Sequence, residues 1–126
     1  MIILKLGGSV ITEKDSVSPK VNFDNLNRIA TEIKEYLNNS KMDNSDLIIV
    51  HGAGSFGHPL AKKYDIGNDF TMDQYAEKKI GFSLIHNHVN KLNTIVCSVF
   101  IDNNIPVVPI PPLSSLTAEN KRICFL

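Results

Sequence analysis

The sequence has no tryptophan, only two cysteines and no surplus of charge, with 13 basic side chains against 13 acidic ones in 126 residues. Each shortage excludes something. Cys97 and Cys124, each in apolar company, offer neither a disulfide framework nor a zinc site and read as small buried thiols. A formal charge of zero, aromatics at 7% and the lack of a Lys/Arg cluster leave no electrostatic footprint for nucleic acid, which is excluded as a partner. No apolar run approaches the roughly 20 residues of a membrane helix, and residues 1–5 are too few for the hydrophobic core of a secretion signal. The chain therefore reads as cytoplasmic, with no membrane partner. What is present, 43% hydrophobic and 21% charged residues, is the composition of one globular domain or a piece of one.

Apolar residues from Ile2 to Leu6, ended by Gly7-Gly8-Ser9, predict a buried strand feeding a tight turn. After a polar loop, Glu13 to Lys20, the positions Phe23, Leu26, Ile29, Ala30, Ile33 and Leu37 recur at helical spacing, with Asp24 near the start and Asn38-Asn39 at the end. A loop from Ser40 to Ser45 leads into Leu47-Ile48-Ile49-Val50, whose unbroken apolar character suits a parallel strand buried on both faces. Strand, helix, strand with a right-handed crossover puts the loops after both strands at one edge of the sheet. Thr71 to Gln74 has the form of a capping box before a helix to about Asp102, carrying Phe82, Ile85, Val89, Leu92, Val96 and Val99, with Gly81 as the place for a bend or break. Residues 105–110 predict a third strand stopped by Pro111-Pro112, and a hairpin follows, turning at Glu119-Asn120-Lys121. With no repeat or linker and an apolar strand at its end, the chain reads as a portion of a larger fold.

Two stretches could carry chemistry. In the first, Lys5 precedes the Gly7-Gly8-Ser9 turn and Lys14 follows it; glycines let backbone N–H groups approach an anion, and the two lysines would add charge. Taken alone, this segment is equally well read as a strand ending in an ordinary turn. The second, Gly52-Ala53-Gly54-Ser55-Phe56-Gly57-His58, lacks both the Lys-Ser/Thr ending of a Walker A loop and the dinucleotide glycine spacing, which leaves an anion nest. Its place after the second parallel strand sets it beside the first turn, where open α/β sheets bind ligands. His58, before Pro59, could donate to a phosphate oxygen or simply cap the surface. His51 reads as a structural histidine bonded to nearby backbone. His86 and His88 point about 200° apart on a helix and read as surface residues that share no metal. Phe82 and Ile85 are core, or the wall of an apolar pocket above the glycines. No Asp/Glu pair, Gly-x-Ser-x-Gly elbow or His-Glu-x-x-His motif is present, which argues against glycosidase, serine hydrolase and zincin chemistry.

Lys5-Leu6-Gly7-Gly8-Ser9, Lys14 and the run from Val50 to Pro59 together resemble the amino-acid kinase superfamily and, within it, the isopentenyl phosphate kinases. The resemblance covers essentially the whole chain but only the first half of the family. It implies an α/β fold, three-layered α/β/α with a mainly parallel central sheet, of which residues 1–126 are the N-terminal, acceptor-binding part, while the C-terminal half that holds most of the nucleotide is absent. The implied reaction moves the γ-phosphoryl of ATP, accompanied by Mg²⁺, onto isopentenyl phosphate, supplying isoprenoid precursor by an alternative mevalonate route. By position, Lys5 and Leu6 with Gly7, Gly8 and Ser9 would lie under the transferring group, Lys14 would stabilise transition-state charge and His58 would grip the acceptor phosphate. Gly52 and Ala53 would face the acceptor and Gly54 the nucleotide phosphates, Ala53 standing where the family often has a third glycine in a row. Tyr75, Phe82 and Ile85 would take the isopentenyl tail. A homodimer is expected, and no metal ligand on this chain. The alternatives are a kinase of the same superfamily with another small acceptor, or a non-catalytic phosphate-binding fragment.

Overall fold

Strand β1 (Ile2–Leu6) pairs in parallel with β2 (Leu47–His51), in register from Ile2 opposite Leu47 to Leu6 opposite His51. The structure, a computed structural model, describes residues 1–14, 18–40, 47–119 and 122–125. Between the two strands lies α2 (Phe23–Asn39), started by Asn22, whose side-chain oxygen accepts the Asn25 N–H at 3.0 Å. Leu26, Ala30 and Ile33 form its buried stripe. That stripe meets Leu92, Val96, Val99 and Phe100 of α4 (Tyr75–Asp102), and Leu4, Leu6, Leu47 and Ile49 close the cluster from the sheet. Both long helices thus cover one face of the parallel pair.

The other face is open among the described residues: Ile3 is 64% exposed, Ile48 44% and Val50 46%. This corrects the expectation of strands buried on both sides. An unbroken apolar run lacks the alternation that tells one face from the other, so it cannot say which face these particular helices cover.

Three local expectations change as well. The glycines after β1 open a one-turn helix, α1 (Gly8–Ile11), rather than a bare turn. Residues 105–110 join no sheet, since Pro106 and Pro109 bring no N–H to a ladder; Ile105 instead closes α4. Its N–H reaches Phe100 O (2.9 Å) and that of Asn104, at φ 58°, reaches Ile101 O (2.8 Å), a Schellman stop with both apolar partners buried. Gly81 does not break α4, which runs through it; a Cβ there would collide with the Tyr64 side chain, so the glycine makes room for Tyr64 against the helix. The capping box is present: Gln74 Oε1 accepts the Thr71 N–H (3.2 Å) ahead of α4.

At the far end, β3 (Leu116–Glu119) and β4 (Arg122–Phe125) form the expected antiparallel hairpin, whose turn at 120–121 lies outside the described residues. Parts of two expected loops, 15–17 and 41–45, do too. Both cysteines are free. Cys97 is half-buried, and burial pushes its thiol above the usual range, whereas Cys124 is exposed, against expectation, because the hairpin has no covering layer among the described residues. His86 and His88 are half-buried rather than on the surface: His86 Nε2 sits 2.9 Å from the Asn90 amide, and His88 Nδ1 is buried with no hydrogen-bond partner among the described residues. Among the described residues no helix is long and apolar enough to cross a membrane.

Candidate functional site

The parallel pairing brings the two glycine segments together at one sheet edge. The Gly52 N–H continues the ladder to Leu6 O (3.0 Å), so both chains leave the sheet at the same level. From β1 the chain enters α1, with the Val10 and Ile11 N–H groups returning to Gly7 O. From β2 it makes a tight 3₁₀ turn, Gly54–Phe56, and then α3 (His58–Lys63) with Pro59 second, where its missing N–H costs nothing.

The two turns touch backbone to backbone. A Cβ on Gly8 would fall onto Gly54 N, and one on Gly52 would stand 2.8 Å from Gly8 N. Gly54 also holds φ +50°, and a side chain there would collide with Thr12 Oγ1. Only glycine fits both demands. Among the described residues the N–H groups of Gly8, Ser9, Ala53 and Gly54 have no acceptor, so the junction presents unpaired donors of the kind that an anion satisfies.

Around this junction lies a polar frame that the sequence did not announce. Thr12, 2% exposed, donates from Oγ1 to Gly8 O (2.7 Å) and accepts the Ser55 N–H (3.0 Å). Ser55 Oγ in turn lies against both backbone groups of Lys20, at 3.3 and 3.4 Å. The segment carrying Lys14 is closed at its base by Glu13 N–H to Lys20 O (3.0 Å), by the Thr12–Val21 bridge and by the Lys20–Glu13 ion pair at 3.0 Å. The available signal was spacing: a threonine four residues after a helical residue can bond back to its carbonyl.

The expected charged groups are at the edge but do not touch one another. Lys5 lies on the open sheet face beside Val50, Lys14 stands exposed after α1, and His58 is exposed at the first residue of α3. His51 behaves as a structural residue, Nδ1 by Gly52 O (3.2 Å) and Nε2 by Asn93 Oδ1 (3.0 Å), which ties the strand end to α4.

The expected apolar wall runs along α4. Gly57 packs near Val89, which lies two helical turns, about 10 Å, from Phe82 on the same side of the helix. Phe82, half exposed, joins Pro112, Leu113, Leu116, Thr117, Ala118 and Ile123 around an open apolar groove of about 510 Å³. Ile85 is half-buried one turn further along the helix. Tyr75 is not part of the groove; it stacks on Phe70 at 6.0 Å under Lys79. The 65–70 loop beside it is pinned by Lys78 Nζ, bonded to Asp65 O (2.6 Å) and Asp65 Oδ2 (3.1 Å). Hydrogen bonds from Asn68 and then Lys78 hold the Asp65 carboxyl below the usual range, as Thr71 does for Asp73.

Residues 1–123 match the profile of the Amino acid kinase family. An isopentenyl phosphate kinase from Methanothermobacter thermautotrophicus is 47% identical over 98% of this chain and 44% of its own length. One from Methanocaldococcus jannaschii is 38% identical over 98% of this chain and 47% of its own length. A crystal structure of isopentenyl phosphate kinase superposes with a TM-score of 0.88 at 46% identity, covering 98% of this chain and 49% of that one. A substrate complex of the same enzyme type gives 0.74 at 27% identity over 96% and 45%. The chain thus spans about half the length of the curated relatives it matches.

Proposed function

The chain belongs to the amino acid kinase family, with the α/β fold that its sequence implied, and on that premise we propose that it is the acceptor-binding portion of an isopentenyl phosphate kinase. The reaction is transfer of the γ-phosphoryl of ATP to the phosphate of isopentenyl phosphate, giving isopentenyl diphosphate and ADP for isoprenoid synthesis. The observation that carries this reading is the backbone contact between Gly8 and Gly54, which gathers unpaired N–H groups from two loops where no side chain can intrude. Phosphoryl transfer asks for such positioning and charge neutralisation rather than a covalent group, and an acceptor phosphate is already largely ionised near neutral pH.

In this reading Gly52 and Ala53 face the acceptor phosphate, Gly8, Ser9 and Gly54 the nucleotide phosphates, and His58 donates to the acceptor. Lys5 and Lys14 supply positive charge to the transferring group. Phe82 and its groove take the isopentenyl tail, with Ile85 behind it. The stacking of Tyr75 on Phe70 favours a role for Tyr75 in ordering the loop before α4 over direct tail contact. The glycine junction fits phosphates because its unpaired donors are backbone N–H groups gathered from two turns. Magnesium would come with the nucleotide; among the described residues no three His, Cys, Asp or Glu side chains gather around a point.

The test is a phosphorus NMR time course of the chain with ATP, Mg²⁺ and isopentenyl phosphate. Diphosphate-ester and ADP signals are the expected product in the presence of the rest of the kinase. The chain's span of about half its relatives favours a second outcome for residues 1–126 alone, a shifted monoester signal without product. An unshifted monoester would overturn the assignment of an acceptor site.

A further inference from the structure

We propose that Thr12 is a positioning residue whose hydroxyl locks the two glycine turns into one cradle with preset N–H directions, a role that rests on the phosphate-binding reading above. A hydroxyl has one proton to give and lone pairs to receive with, and Thr12 uses both across the junction: Oγ1–H to Gly8 O at 2.7 Å on the first turn, Ser55 N–H to Oγ1 at 3.0 Å on the second. It does so at 2% exposure, where an unmet partner costs most.

The consequence follows from peptide geometry. A trans peptide is planar, so its C=O and N–H point in opposite directions. The Gly8 carbonyl receives two bonds, from the Thr12 hydroxyl and from the Thr12 N–H at 3.0 Å, and the Ser9 N–H of the same plane is thereby aimed away from Thr12. Holding the Ser55 N–H likewise fixes the plane that contains Gly54 O, while the Gly54 N–H shares its plane with Ala53 O, which accepts the Phe56 N–H at 3.0 Å. Thr12 Oγ1 also fills the space that a side chain at position 54 would take, so the threonine and the glycine are matched to each other. The Ser9 donor is therefore aimed, and the second turn tied to the first, before any anion arrives, the arrangement that costs least on binding.

Thr12→Val keeps the shape and removes both bonds, whereas Thr12→Ser keeps the bonds and removes a methyl. ATP, whose phosphates the Ser9 and Gly54 donors would face, and inorganic phosphate are titrated into each protein, followed by phosphorus NMR and by amide shifts. The expected result is binding within threefold of the parent for the serine variant, and at least tenfold weaker for the valine variant with both probes, with the ligand-induced shift of the Ser9 amide lost only in the latter. A valine variant that binds within threefold of the parent overturns the role of Thr12 and leaves the phosphate site intact. A parent chain that binds neither probe overturns the site itself. Should the valine variant not fold, hydrogen exchange of the Ser55 amide in the parent decides: saturation with ATP is expected to slow it at least tenfold, and an unchanged rate overturns the proposal.

Discussion

The two ends of the candidate site are built from different materials. At the glycine junction the unpaired donors are main-chain N–H groups, on two turns tied together by the buried hydroxyl of Thr12. Some two helical turns along α4, the groove around Phe82 is all side chain, open and half exposed. Main chain can be altered only by altering conformation, so the first end tolerates almost no substitution. Side chains can be exchanged one at a time, so the second end can change in size and shape without disturbing the fold.

The largest expected effect tests the rigid end. Gly54→Ala adds left-handed backbone strain of about 1–2 kcal/mol to overpacking against Thr12 of about 1–3 kcal/mol, so a loss of roughly 3 kcal/mol is expected in urea unfolding. A midpoint unchanged from the parent would show that the junction is looser than its geometry implies. Next, His58→Ala, at an exposed position that contributes little to folding, is expected to weaken isopentenyl phosphate binding by about 1.5–3 kcal/mol, the scale of a hydrogen bond to a charged group, with stability preserved. Calorimetric titration returning the parent affinity removes His58 from the acceptor site.

Smaller still is Phe82→Ala. Half of a phenylalanine's burial is worth about 1 kcal/mol, so isopentenyl phosphate should bind about fivefold more weakly while inorganic phosphate is unaffected. An equal loss for both ligands would break the division between the two ends. The smallest effect concerns the loop pinned by Lys78. Asp65 has a carboxyl pKa lowered by Asn68 and Lys78, so its contribution is present above the ordinary value of about 3.9 and is lost as pH falls through the lower folded value. Amide shifts of Asn68 and Phe70 should therefore stay constant from pH 6 to 4 and move only below that, with Gly8 and Gly54 unmoved; a transition centred above pH 5 contradicts the pinning.

How far the sequence could be read follows the same division. Helices α2 and α4 were legible from their period, the parallel pair from unbroken apolar runs and the hairpin from its turn residues, and the place of both glycine turns at one edge followed from the strands running parallel. The motif residues were legible as chemical types. What escaped is what depends on contact between distant segments: that Thr12 reaches Ser55, that Gly81 exists for Tyr64, that Asn93 holds His51, and that Tyr75 turns to Phe70 rather than to the groove. The expected strand at 105–110 failed for a local reason, since apolar content was weighed over two prolines that cannot serve a ladder.

The Ser55–Thr12 bond joins positions 43 apart in the chain. A closure of that span is entropically costly until α2 has formed and docked and the parallel strands have paired, because a parallel pairing has no tight turn to bring its ends together. The junction is thus a late product of folding, and the Ser55 amide is a clock for it: protection there should arrive after protection in α2 and α4, and a chain arrested before that moment would carry both helices and two unjoined glycine turns.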